Sequence, residues 1–196
     1  APELSLNGSW RFRLLRGAPG GALDVLPAGE RPDDVATEDF DDSAWDELPV
    51  PSHWVLHGDG HHGRPIYTNV QFPFPIDPPH APDDNPTGDH RRRFDLPAEF
   101  VGARAVLLRF DGVESRYRVW LNGVEIGVGS GSRLAQEFDV SHAVRAGANL
   151  LVVRVHQWSA GSYLEDQDQW WMGGIHREVY LYSQAAHYLE DVFVRA

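Results

Sequence analysis

Between Leu4 and Leu15 the chain reads LSLNGSWRFRLL, with Trp10, Phe12 and Leu14 alternating with Arg11 and Arg13. A period of two belongs to a strand with one buried face. The second half carries the same signature repeatedly. ARAVLLRFDGV is a mostly apolar strand, and SRYRVWLNGVEIGVG follows with Tyr117, Val119 and Leu121 on one face and Arg116, Arg118 and Trp120 on the other. Asn122-Gly123 sits between two such runs, the pairing that specifies a tight type I′ hairpin. LAQEFDVS, NLLVVRVHQW, REVYLYS and YLEDVFVRA complete the set. Roughly eight to ten short strands separated by turns, without a long amphipathic helix, predict an all-β antiparallel sandwich.

Two stretches break the alternation. RGAPGGALDVLPAGERPDD is rich in Gly, Pro and Asp and reads as a surface loop. A longer irregular region runs from His57 to about Asp89 and holds Pro65, Pro73, Pro75, Pro78, Pro79, Pro82 and Pro86. Proline at that density excludes helix interiors and central strands. Loops of this length in compact domains are disordered or functional, and Tyr67, Phe72 and Phe74 favour an ordered, packed one.

Composition narrows the classes. The 196 residues, 42% hydrophobic, suit one globular domain spanning 1–196. No run is long enough for a membrane-spanning helix. The net charge of −12 argues against nucleic-acid binding, which needs a positive surface. Without cysteine there is no disulfide, thiolate metal site or cysteine nucleophile. The chain opens on Ala1 rather than Met and reads as a piece of something longer.

GSYLEDQDQWWMGG, Gly161 to Gly174, concentrates candidate chemistry in Glu165, Asp166 and Asp168. A glycosidase needs two carboxyl groups about 5 to 9.5 Å apart on opposite sides of the scissile bond. Asp166 and Asp168 would lie about 6 to 7 Å apart on an extended strand, yet both would approach a sugar from one side. A complete metal cage is interrupted by Gln167 and Trp170, whereas one carboxylate lent to a shared hard-cation site is reasonable. Glu165 and Asp166 fit a solvated turn or structural hydrogen bonding. Asp168, beside Trp170 and Trp171, fits an acceptor for sugar hydroxyls next to a ring face, with at least one of the two tryptophans in the core.

WSAGSYLEDQDQWWMGGIHREVYL closely resembles the N-terminal sugar-binding domain of family 2 β-galactosidases. The likeness extends through LNGSWRF, VPSHWVLHG, PIYTNVQFPFPIDPP, DNPTG, FDGVESRYRVWLNGVEIGVGSGSRLAQEFDVS and RAGANLLVVRVHQWS, in the family's order. It implies a jelly-roll sandwich, the first domain of a retaining β-galactosidase acting on galactosides such as lactose. The catalytic glutamates would lie in a TIM barrel further along the parent chain, leaving this domain inert alone and without catalytic residues. It implies that Asn85 of DNPTG, at the tip of the proline-rich loop, and Asp168 of EDQD meet the galactose. Asp168 would also ligate a sodium ion shared with the barrel. The parent is expected to use sodium and magnesium, the isolated domain no cofactor, and the parent to be a cytoplasmic bacterial homo-oligomer. A free-standing carbohydrate-binding module on the same sandwich is the alternative. Trp171 stands where well-known members have arginine, and HGDGHHGRPIY carries extra residues ahead of Tyr67.

Three other groupings carry less. His53, His57, His61 and His62 have the spacing of a helical zinc face, but Gly58, Gly60 and Gly63 oppose a helix. Arg91 to Arg93 in a strand would alternate in direction, which suits a solvated edge or salt bridges better than phosphate binding. Ser159 and Ser162 near His156 lack the strained elbow of a nucleophile.

Overall fold

The computed structural model describes residues 2–189 and 191–195. In chain order its strands are β1 (Glu3–Ser5), β2 (Gly8–Leu15), β3 (Asp46–Val50), β4 (Ile66–Tyr67), β5 (Thr87–Leu96), β6 (Ala105–Phe110) and β7 (Val113–Glu114). They continue with β8 (Arg116–Leu121), β9 (Val124–Ser130), β10 (Gln136–Asp139), β11 (Gly147–His156), β12 (Trp170–Trp171), β13 (Gly174–Ile175) and β14 (Val179–Gln184). Helical pieces among the described residues are 3-10 turns of three or four residues.

Ten strands build two antiparallel sheets, ordered β1-β14-β6-β10 and β3-β2-β5-β11-β8-β9. The other four form two short ribbons, β12-β4 and β13-β7. This is the expected all-β antiparallel jelly-roll sandwich, with non-sequential neighbours in both sheets. The predicted hairpin joins β8 to β9, and Asn122 (φ 52°) and Gly123 (φ 80°) supply the two positive dihedrals that turn demands.

The core lies between the sheets. Trp10 and Phe12 of β2, Tyr117, Val119 and Leu121 of β8, and Leu151, Val153 and Val155 of β11 face Leu108, Phe110 and Leu181 of the smaller sheet. Alternation dictates that Leu150 and Val152 point the other way, and they do not meet water. With Trp120 they pack beneath Val35 and Ala36 from the loop before β3. The large sheet is thus covered on both faces around its centre, which alternation within the strands does not reveal.

Two boundaries differ from expectation. The irregular region ends at Pro86, since β5 begins at Thr87, and it contains the two-residue strand β4. Of the two readings of Arg91–Arg93, the salt bridge holds for Arg91 and the solvated edge does not. β5 is a central strand between β2 and β11, and Arg91 is buried, ion-paired with Asp42 and donating to the Thr37 carbonyl at 2.7 Å. A guanidinium tolerates burial only with such partners.

Candidate functional site: an aspartate on an aromatic ribbon

β11 leaves the large sheet at His156, and the chain turns through the 3-10 segment Ala160–Tyr163. Ser159 and Ser162 cap that turn reciprocally: Ser159 Oγ accepts from Gly161 N at 3.2 Å, and Ser162 Oγ accepts from Ser159 N at 3.0 Å. The nearest partner of the His156 ring is Thr87 Oγ1, 3.0 Å from Nδ1. These serines are caps, not nucleophiles. Glu165 accepts from Ser132 N at 3.0 Å and Ser132 Oγ at 2.5 Å, the structural bonding expected of it, while Asp166 is exposed.

Asp168 is different. It is exposed, two residues before β12, where Trp170 pairs with Tyr67 and Trp171 with Ile66. One carboxylate oxygen accepts from the Tyr67 hydroxyl, and Asn69 Nδ2 lies 3.4 Å from the same oxygen. The bond to Asp168 raises the Tyr67 hydroxyl above its ordinary pKa. Tyr67 and Trp170, both about half exposed, sit with ring centroids 5.3 Å apart. Trp171 is the core member of the pair: 4% exposed, packed on Trp158 and Phe72, with its indole N–H donating to Thr68 Oγ1. The proline-rich loop is packed as expected, with Phe72 and Phe74 against Tyr163 and Phe74 also against Trp158.

Asn85 does not join Asp168. It lies at the foot of the loop, two residues before β5, and is 5% exposed. Its Nδ2 donates to the Trp158 carbonyl at 2.9 Å and its Oδ1 accepts from Trp158 N at 2.8 Å. A buried amide paired at both ends with a backbone is a structural clasp. The loop-tip position expected for Asn85 is therefore corrected to the loop's foot. What reaches Asp168 from this loop is Tyr67 and Asn69. Neither was singled out from sequence for this role. The available signal was an aromatic and an amide two apart, ahead of the proline run, in a loop already marked as functional.

The concavity of about 580 Å³ lined by Phe12, Arg13, Trp45, Asp46, His62 and Asp84 does not include Asp168. Asp168 and Trp170 are both exposed and lie outside that concavity.

The four-histidine zinc face does not form. His62 is buried and its Nε2 meets Asp46 Oδ2 at 2.9 Å, whereas His53 points elsewhere. Ser52 N donates to the Ile175 carbonyl at 2.7 Å and Trp54 N to the Gly173 carbonyl at 3.2 Å. That close approach requires glycine. A Cβ on Gly173 would lie 2.1 Å from the Trp54 ring, and one on Gly174 (φ +138°) would lie 2.6 Å from the Ser52 carbonyl oxygen. The β13-β7 ribbon then sets Gly174 opposite Glu114. His53, Glu114 and His176 each offer a ligand atom within 4.8 Å of the others, one such group among the described residues. Burial pushes His176 down to about 4 and lowers His53, while burial pushes Glu114 up to about 7.

Comparison with known proteins places these features. The family model for glycosyl hydrolases family 2, sugar binding domain, matches residues 4–185. The chain is 68% identical over 199 residues to a β-galactosidase of Arthrobacter sp. (strain B7), covering 100% of this chain and 20% of that protein. It is 46% identical over 191 residues to a Vibrio cholerae β-galactosidase, covering 97% and 17%. It spans about a fifth of the length of these relatives. Among solved structures, a Bifidobacterium dentium β-glucuronidase superposes with a TM-score of 0.64 at 21% identity, over 94% of this chain and 30% of the other. A Bacteroides uniformis β-glucuronidase gives 0.63 at 22%, over 92% and 17%, so the likeness is one of fold. With a sandwich of this topology, the match from residue 4 to residue 185 and these relatives, the chain belongs to glycosyl hydrolase family 2, of which it forms the sugar-binding domain.

Proposed function

We propose that this chain is the non-catalytic N-terminal domain of a retaining β-galactosidase, supplying one wall of a galactoside site completed by the remainder of a longer chain. The observation that carries the reading is Asp168: an exposed carboxylate beside an exposed tryptophan, bonded to neutral donors and to no arginine or lysine. Carboxylates accept sugar hydroxyls, and ring faces stack on the apolar C–H face. Tyr67 and Asn69 orient the carboxylate, and Asn69 is itself a polar group at the same edge. Naming of the relatives as β-galactosidases supports galactosides as substrates, with this chain only a fifth of the relatives' length. The family resemblance puts the glutamates that cleave the bond in a barrel domain outside this chain, and a retaining mechanism needs two opposed carboxyl groups.

Sodium fits the donor chemistry in part. Asp168 is one hard oxygen ligand, and hard cations need several. Asp168 would hold the ion together with groups of the barrel, and the ion would supply charge neutralisation at the carboxylate. Magnesium is assigned to the rest of the parent, since the three-ligand group among the described residues contains two imidazoles, which magnesium avoids. A cytoplasmic, homo-oligomeric parent completes the proposal; no described helix is long and apolar enough to cross a membrane.

The test is Asp168→Asn in the full-length enzyme, assayed with a nitrophenyl galactoside across a sodium titration. Hydrolysis should fall severely and its response to sodium should weaken; an unchanged rate and sodium response would defeat the assignment. The 196-residue chain alone should neither hydrolyse the galactoside nor take up galactose. Micromolar binding in calorimetry would instead favour a free-standing carbohydrate-binding module.

A further inference from the structure

We propose that His53, Glu114 and His176 form a binding site for one divalent transition ion of the Zn²⁺ class, separate from Asp168. The three come from different segments: the residue before the 3-10 turn Trp54–Leu56, the end of β7, and the residue after β13. Their ligand atoms lie within 4.8 Å of one another. Ligands sharing a zinc ion at about 2.0–2.2 Å are roughly 3–4 Å apart, so the ligand atoms need to close by about an ångström. Two imidazoles and a carboxylate suit a borderline ion and not a hard one.

An independent observation points the same way. The Nδ1 atoms of His53 and His176 are both buried without a hydrogen-bond partner. Buried nitrogens normally find one, and an orphan pair beside a carboxylate calls for a shared partner. The two rings are parallel within 8°, centroids 4.9 Å apart. Parallel lone pairs do not converge, so ion binding swings the rings out of that arrangement. Glu114, 2% exposed, accepts from Arg133 Nη2 at 3.2 Å and from Met172 N at 3.2 Å. Arg133 occupies the position of a counter-charge and competes with an incoming dication. With the ion bound, β7, β13 and the residue ahead of Trp54 are tied at one point, at the base of the segment that carries Asp168.

Equilibrium dialysis of the 196-residue chain against Zn²⁺, with bound metal quantified, should give one ion per chain. His53→Gln and His176→Gln should each weaken binding by roughly tenfold or more, Arg133→Gln should tighten it, and His57→Gln or His61→Gln should leave it unchanged. No bound Zn²⁺ in the wild type, or wild-type affinity in both His53→Gln and His176→Gln, would overturn the proposal. Should those variants fail to fold, imidazole resonances of the wild-type chain decide: Zn²⁺ should shift His53 and His176 first, and shifts confined to other histidines would overturn it.

Discussion

Two aspartates show how one chain uses the same side chain in opposite ways. Asp89, in the central strand β5, has no exposure; Arg154 grips it through Nε at 2.6 Å and Nη2 at 3.0 Å, and Arg13 Nη2 adds a third bond at 2.8 Å. Both arginines are tied down further, Arg13 to Glu30 and Arg154 to the Pro32 carbonyl at 2.6 Å. Asp168 stands two residues ahead of a two-strand ribbon at the surface, with two neutral donors. A carboxylate saturated by cations of its own fold has nothing left to offer. One given only neutral donors keeps its charge available to a ligand or an ion. The distinction that matters for function is the partner set, more than the residue type.

The comparison breaks first at Asp89. Asp89→Ala leaves Arg154 buried and unpaired, and should cost about 3–5 kcal/mol in urea unfolding of this chain. The neighbouring His90, buried in the same strand, sharpens it through pH. Burial pushes its pKa down to about 4 from 6.5. Between those values the unfolded chain binds a proton the folded one does not. The stabilisation is therefore full above pH 6.5 and is lost as pH falls towards 4, on the order of 3 kcal/mol. His156 and His176, also pushed down to about 4 by burial, and His53, lowered by burial, act with the same sign, while Glu114, raised to about 7, opposes them by losing its contribution as pH rises through 7. Unfolding midpoints at pH 7 and pH 5 check the net fall, and His90→Gln should reduce it.

Asn85→Ala removes both bonds to the Trp158 backbone and should cost about 1–3 kcal/mol, read from the same unfolding curves. The smallest effect on stability is expected from Asp168→Asn, whose midpoint should match the wild type. If Asp168→Asn destabilised as much as Asn85→Ala, the contrast between saturated and available acceptors would be lost.

The sandwich was legible because strand faces are a local property. Trp10 and Phe12, or Tyr117, Val119 and Leu121, announce their burial by spacing, and Asn122-Gly123 announces its turn. Asp168 was picked out as a candidate by the two tryptophans that follow it. Asn85 was misplaced because an asparagine before proline looks the same at a loop's tip and at its foot; only Trp158, 73 positions away, distinguishes them. Tyr67 and Asn69 lie 101 and 99 positions from Asp168, beyond any periodic pattern. The burial of Trp120 and Arg91 was not legible because the loop that covers them comes from residues 35–42, remote in sequence. His53 and His176 meet only because Gly173 and Gly174 admit another backbone.

The β4-β12 ribbon shares no ladder with either large sheet. Exchanges at Tyr67, Asn69, Asp168 or Trp170 can therefore change the rim while the sandwich's folding is left alone. A scaffold divided in this way is evolvable: selection can vary the edge without renegotiating the architecture beneath.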